Sequence, residues 1–445
     1  MKKMNDFKES SGESLLKIYG NLPRSEWGTL CKRPVEELSD LYSMIEGVFS
    51  RTEKEGDAAL IEFTLEFDRV KLSELEVSPA DKNRAYAKVS PEAKAAIDFA
   101  RKNIELFHRE LKPKNSKVTT APGVECHREW RPVDKVGLYI PGGRAPLVST
   151  VMMLGIPALV AGCKTRILCS PPNSLGEIAP EILYAANLLG IEKVFKLGGA
   201  QAVAAMAIGT KSVPKVDKIF GPGNRFVAAA KAFCSVSSSF AAIDMLAGPS
   251  ELLVIADEGA NPEWIAADLL SQAEHGADSQ VVLVSASQAL IEQVEKALSL
   301  QLPRFPDPAI AKKALAKSFA LKVNSEEDAF EFSNLYAPEH LGLAISNAET
   351  SFEKVRNAGS VFGGGRCSVV FGDYASGTNH TLPTSGTARF AGGLTTESFM
   401  KSVLFQTVSE AGLKSLCEPV SVLARLEGLE AHARASDMRG DSRDR

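Results

Sequence analysis

Six histidines are spread over 445 residues, at positions 108, 127, 275, 340, 380 and 432, and four of them stand beside other groups that can move protons or hold a metal. Glu339 and His340 follow Pro338 in the stretch LYAPEHLGL, just ahead of an apolar run. A carboxylate and an imidazole placed together can act as two separate proton-handling groups, because different surroundings set different pKa values. A solvated turn is the other reading of the same pattern. Gln272 and His275 end the helical segment NPEWIAADLLSQAEHG, with Gly276 as its stop. Three residues apart, they share one helix face. An imidazole and a neutral oxygen donor both suit zinc; equally, a histidine at a helix C-terminus satisfies the helix dipole, and one pair falls short of four ligands. The stretch 372–386, GDYASGTNHTLPTSG, carries Asp373 and His380 among glycines and small polar residues, the composition of a loop that presents chemistry from a rigid scaffold. Glu427 and His432 lie five apart near the end, a spacing that does not put them on one helical face.

The elements that would position these groups alternate in texture. Apolar runs at 135–140, 166–170, 193–199, 218–223, 251–256, 280–286 and 340–345 are bounded by glycine and proline and separated by helix-length segments. Continuous apolar runs of this length suit buried parallel strands, and the alternation suits β-α-β units. Four turns follow such runs: PGG at 141–143, GGAQA at 198–202, GPGN at 221–224 and GPSE at 248–251. Glycine turns let backbone amides approach a ligand such as phosphate. The dinucleotide fingerprint G-x-G-x-x-G is absent, so the pattern alone predicts no dinucleotide site. Two helices precede the strands, one through VEELSDLYSMIEGVFSRTEKEG and stopped by Gly56, the other from the cap Ser90-Pro91. The reading is an α/β chain with a helical arm over 1–35, two α/β units with a boundary near Gly248-Pro249, and a helical C-terminal segment over 395–445 whose charged end is frayed.

Composition bounds the rest. Lys and Arg number 51 against 55 Asp and Glu, for a net charge of −4, which leaves no electrostatic grip on nucleic acid or anionic lipid. The seven cysteines form no CxxC pair, and the start MKKMNDFKES lacks the apolar core of a signal peptide, so a reducing cytoplasmic location is expected. The charge-free stretch between Arg144 and Lys164 contains Pro146, Pro157, Gly155 and Gly162 and reads as a buried helix, with no membrane span. Cys126, Cys163 and Cys169 stand in no motif that lowers a thiol pKa and read as structural.

Taken in order, the blocks at 53–68 (EKEGDAALIEFTLEFD), 128–143 (REWRPVDKVGLYIPGG), 197–207, 216–224, 242–251, 269–276, 335–341, 372–386 and 427–435 resemble the histidinol dehydrogenase family over about nine tenths of the chain. The resemblance implies two incomplete Rossmann-like domains, a first, discontinuous one over 36–138 and 251–394 and a second, NAD-binding one over 139–250, and a homodimer whose terminal segments, 395–445 above all, cross between subunits. It implies zinc, one per subunit, and NAD as cofactors, and L-histidinol oxidised through L-histidinal to L-histidine, the last step of histidine biosynthesis. Carried over residue by residue, Gln272, His275, Asp373 and His432 match the zinc ligands, with His432 reaching the partner's site. Glu339 and His340 match the catalytic pair, His340 as general base and Glu339 as activator of water. Ser250, His380 and Glu427 match substrate contacts beside the metal ligands and His340. Tyr139, Gln201 and Asn224 match NAD contacts.

Overall fold

The computed structural model describes residues 14–33, 38–142, 146–236, 240–246 and 248–440. Two parallel sheets organise them. In the first, strands Lys17–Gly20, Phe319–Lys322, Gln280–Ser285, Glu251–Ala256, His340–Ala344 and Ser360–Gly363 lie side by side in that order. In the second, the order is Lys193–Lys196, Thr165–Ser170, Lys135–Tyr139, Lys218–Phe220 and Ala242–Ile243. Leaving aside the added strand at 17–20, both sheets run 3-2-1-4-5 in their own chain order, the order of a Rossmann sheet that lacks its sixth strand. Each therefore reverses direction of growth between its first and fourth strands. A third, antiparallel sheet joins Met400–Val408, Val124–Pro132 and Ser116–Ala121.

The apolar runs form strands because each is covered on both faces: all six residues of Glu251–Ala256 and of Gln280–Ser285 are buried. The charge-free stretch forms the helix Val148–Ala161, with twelve of its fourteen residues buried, so a charge there would have no water to meet. No helix among the described residues is long and apolar enough to cross a membrane. The helix Pro91–Glu110 starts as expected, with the Ser90 hydroxyl accepting from the Ala93 N–H at 3.1 Å. Tyr42–Glu55 ends at Gly56, whose φ is +61°.

Three expectations are corrected. The arm is not purely helical: among its described residues, Lys17–Gly20 adds a strand to the first sheet and Arg24–Leu30 forms a helix. The C-terminal segment opens with the strand Met400–Val408 before its two helices, Glu410–Leu426 and Glu430–Gly440. Helix therefore continues to Gly440 in the segment expected to fray, and 441–445 lie outside the described residues. The helices Tyr42–Glu55, Pro79–Lys88 and Pro91–Glu110, expected with the first α/β domain, pack instead on helices of the second. Leu60, Phe63, Val70 and Leu75 share a core with Phe195, Val203 and Ile219. These apolar faces have no counterpart on the first sheet, which is covered by its own helices.

Candidate active site

The residues with chemical potential gather at the switch strands of the two sheets. In the first sheet they stand at the amino ends. Pro338 leads into the strand whose first residue is His340, which pairs in register with Leu252. The imidazole and Glu339 are buried, with the whole residues 3 % and 6 % exposed. His340 Nδ1 lies 3.1 Å from the Glu251 carbonyl oxygen and 3.4 Å from Glu339 Oε2. A carbonyl can only accept, so Nδ1 carries the proton and Nε2 faces Asp373 Oδ1 at 3.3 Å. Burial opposes charge on this ring, but the Glu339 and Asp373 carboxylates on either side outweigh it and push the pKa up to about 10. The Glu339 carboxylate is itself held, accepting the Glu251 N–H at 2.8 Å through Oε2.

Asp373 sits in the short helix Val369–Tyr374, which packs against the helix Pro262–Ala273 that bears Gln272. Burial would raise its pKa, yet the hydrogen bond to His340 and the charges of His340, His380 and His275 hold it below the usual carboxylate range. Gln272 is buried at the end of its helix, and His275, one turn on, is exposed. His380 is anchored at both nitrogens: Nδ1 lies 2.9 Å from the Asp373 carbonyl oxygen and Nε2 lies 3.4 Å from the Thr150 hydroxyl. Burial keeps its pKa below the ordinary histidine value. Ser250 immediately precedes Glu251, and its carbonyl accepts the Gln280 N–H at 3.1 Å. The structure thus brings together Ser250, Gln272, His275, Glu339, His340, Asp373 and His380. It does not bring Glu427 or His432 to them; both are exposed on the C-terminal helical hairpin. No three His, Cys, Asp or Glu side chains among the described residues are grouped so as to hold a metal within one chain.

The second sheet presents its carboxyl ends. There a cavity of about 840 Å³ is lined by Tyr139, Gln201 and Asn224, with Asp68, Gly199 and Phe226 among its other walls. Tyr139 ends its strand, and its hydroxyl accepts the Gly199 N–H at 3.1 Å. Gln201 is 1 % exposed; its Nε2 donates to Asp68 at 3.2 Å, while its Oε1 is buried with no partner. Asn224 caps the helix Arg225–Ser235, accepting the N–H groups of Phe226 and Val227. The GPGN turn that delivers it is clamped by a buried ion pair. Lys231 Nζ donates to the Gly221 carbonyl at 2.8 Å, Asp244 accepts the Gly221 N–H at 2.8 Å, and Lys231 and Asp244 pair with each other. The cavity lies at the switch point, where open α/β sheets bind ligands. Pro146, ahead of the helix Val148–Ala161, lines this cavity, and Thr150 in the first turn of that helix reaches His380. The two sites are therefore neighbours across one helix start.

Several participants carry no motif in the sequence. Asp68, Glu251, Thr150 and the Lys231–Asp244 pair reach the sites only through packing, although Asp68, Asp244 and Glu251 fall inside the family-like blocks. Cys163 and Cys169 are buried away from water, which pushes both thiols up, Cys163 to about 11; that agrees with a structural role.

Known proteins point the same way. A family model for histidinol dehydrogenase matches residues 31–440. A histidinol dehydrogenase of Bacteroides fragilis is 46 % identical over 424 residues, covering 95 % of this chain and 99 % of that protein. One from Xanthomonas campestris pv. campestris is 52 % identical over 384 residues, covering 86 % and 89 %. The crystal structure of histidinol dehydrogenase from Elizabethkingia anophelis superposes with a TM-score of 0.94 at 48 % identity, covering 96 % of this chain and 98 % of that one. Two Rossmann-like halves, one with a switch-point cavity and the other with a buried Glu-His pair, together with these relatives mark an oxidoreductase of the dehydrogenase class. The chain belongs to the histidinol dehydrogenase family.

Proposed function

We propose that this chain oxidises L-histidinol to L-histidine through L-histidinal, with two NAD⁺ and a zinc ion, as the last step of histidine biosynthesis. The observation that carries the reading is the placement of the Glu339–His340 pair one helix start away from the cavity lined by Tyr139, Gln201 and Asn224. In the first half-reaction the alcohol loses a hydride to NAD⁺ and its hydroxyl proton to a base. His340 suits that role through Nε2, since Nδ1 is committed to Glu251; a metal held by Asp373 would neutralise the carboxylate charge that otherwise keeps this imidazole protonated. The aldehyde then takes up water, and the hydrate loses a second hydride and, overall, two protons to give the carboxylate. Glu339 Oε2 is occupied by the Glu251 amide; its other oxygen is the one available to draw a proton from that water, and His340 serves again as base. His380, Ser250 and Glu427 are assigned to the substrate.

The donor set fits zinc: one amide oxygen, one carboxylate and imidazole are the ligand types it takes. Gln272, His275 and Asp373 would hold it from this chain. Bound there, zinc would orient the imidazole and amine of histidinol, polarise the reacting oxygen and balance the charge of Asp373. The fourth ligand, His432, is assigned to the partner subunit of a homodimer. Val422, Leu423, Leu426 and Met438 on the same hairpin are all exposed, an apolar face suited to docking on a second copy. Truncation before Glu427 is then expected to lower zinc content and activity together; full retention of both would remove the exchange from the reading.

The first experiment is the NADH yield from limiting L-histidinol, with and without a chelator. The expected result is two NADH per histidinol, lost on metal removal and restored by zinc. One NADH would overturn the aldehyde step, and none from folded, zinc-loaded protein would overturn the substrate.

A further inference from the structure

Glu251 has no place among the metal, substrate or catalytic groups, yet every polar atom it owns is engaged at the site. Its main chain holds both members of the catalytic pair: the N–H donates to Glu339 Oε2 at 2.8 Å and the carbonyl accepts from His340 Nδ1 at 3.1 Å. Its side chain holds two distant parts of the fold. Oε1 accepts the Ser385 N–H at 3.0 Å, from the end of the loop that carries His380 and follows the helix of Asp373. The Arg33 guanidinium grips both oxygens, Nε to Oε1 and Nη2 to Oε2, each at 3.0 Å. The pair is dry, with side chains 6 % and 2 % exposed. Arg33 is itself fixed: it donates to the carbonyls of Cys31 and Tyr336 at 2.8 and 2.7 Å and stacks 3.5 Å from the centre of the Tyr336 ring.

A two-pronged, planar fork on a carboxylate sets orientation as well as charge. Here that orientation passes through one residue's backbone to the tautomer of His340 and the rotamer of Glu339. We propose that Arg33 and Glu251 form a positioning couple through which the N-terminal arm aligns the catalytic pair, 218 positions apart in sequence. The proposal rests on the reading of Glu339 and His340 as catalytic. Neither Arg33 nor Glu251 is assigned to a reacting atom.

The test uses the full-length, zinc-loaded protein. In Arg33→Ala, kcat for histidinol is expected to fall by about 100-fold, the scale of a misplacement of about 1 Å, with both KM values within about threefold of the parent. Millimolar methylguanidinium is expected to restore kcat saturably, and urea at the same concentration is not. A kcat within threefold of the parent, or a loss that methylguanidinium leaves untouched, overturns the proposal. If Arg33→Ala does not fold, Arg33→Lys decides: the charge stays, the fork is lost, and kcat is expected to drop at least about tenfold at unchanged KM. Full kcat in Arg33→Lys would overturn the proposal. If the parent does not oxidise histidinol, the functional reading has failed. The couple is then judged by hydrogen exchange in Arg33→Lys: peptides over 249–256 and 337–344 are expected to exchange faster while the strand 135–139 does not, and equal exchange in all three overturns the proposal.

Discussion

At the scale of single residues, the sequence exposes the side chains assigned to the chemistry better than the groups packed and hydrogen-bonded against them. Glu339 and His340 are legible because a carboxylate and an imidazole stand together before an apolar strand, where packing has no use for them. Gln272 and His275 are legible as two donors three apart, but not as one helix face: the helix ends at Ala273, leaving Gln272 buried and His275 exposed beyond the cap. Arg33 and Glu251 are not, because an ion pair spanning the chain leaves no spacing to read; only the fold shows the Arg33 fork on Glu251. The assigned roles predict different losses. His340→Asn is expected to lower turnover of histidinol by at least about 1,000-fold, at the strong end for removal of a general base, while zinc content by atomic absorption stays at one per subunit. Zinc loss in that variant would mean that His340 holds the metal site together and would remove the base assignment. Glu339→Gln is expected to slow histidinal oxidation more than histidinol oxidation, measured with each substrate separately; equal slowing would sink the water-activating role.

At the scale of elements, strands buried on both faces are readable and edge strands are not. Glu251–Ala256 and Gln280–Ser285 are continuous apolar runs because no face meets water. Lys17–Gly20 and Met400–Val408 are largely exposed or half-buried, so their composition resembles that of neighbouring helix and turn. The GPGN segment is visible in the sequence as a glycine turn, but the ion pair that fixes it is not. Gly221 adopts a φ of +125° against the Tyr139 carbonyl, with Lys231 and Asp244 on its carbonyl and N–H. Lys231→Met leaves a buried carboxylate without its cation and is expected to cost about 3–5 kcal/mol in urea unfolding. Adding Asp244→Leu to it is expected to recover part of that loss, because no uncompensated charge remains. A double variant less stable than Lys231→Met alone would show that the pair acts through something other than mutual charge.

At the scale of the whole molecule, the two sheets share one topology but present opposite ends. The second offers its carboxyl ends to the cavity and the first its amino ends to the acid–base pair. Their junction contains a buried histidine outside the chemistry. His108 is 0 % exposed; its Nε2 lies 3.4 Å from the Asn379 amide, and the Thr396 hydroxyl donates to its backbone carbonyl at 2.9 Å. Burial pushes its pKa down to about 4. The unfolded chain, with a histidine pKa near 6.5, takes up the proton first, so stability is complete above about pH 6.5 and falls as pH drops toward 4. The loss from this one group is about 3 kcal/mol at 1.36 kcal/mol per pH unit. Urea unfolding at pH 7 and pH 4.5 is expected to show a smaller drop in His108→Gln than in the parent; an unchanged drop would assign the acid sensitivity elsewhere.

The strand Lys17–Gly20 has a consequence for synthesis. Lys17 pairs with Phe319, so an early strand waits about 300 residues for its neighbour, roughly 15–60 s at ordinary elongation rates of about 5–20 residues per second. Among the described residues, the second sheet is contiguous in the chain, from Lys135 to Ile243, and takes no strand from beyond Ile243. On the ribosome, the switch-point cavity is therefore expected to take shape while the half that bears Glu339 and His340 is still a nascent ribbon. Chains stalled near Leu290 should already yield a protease-resistant core over the second sheet, with the amino-terminal strand still open to cutting.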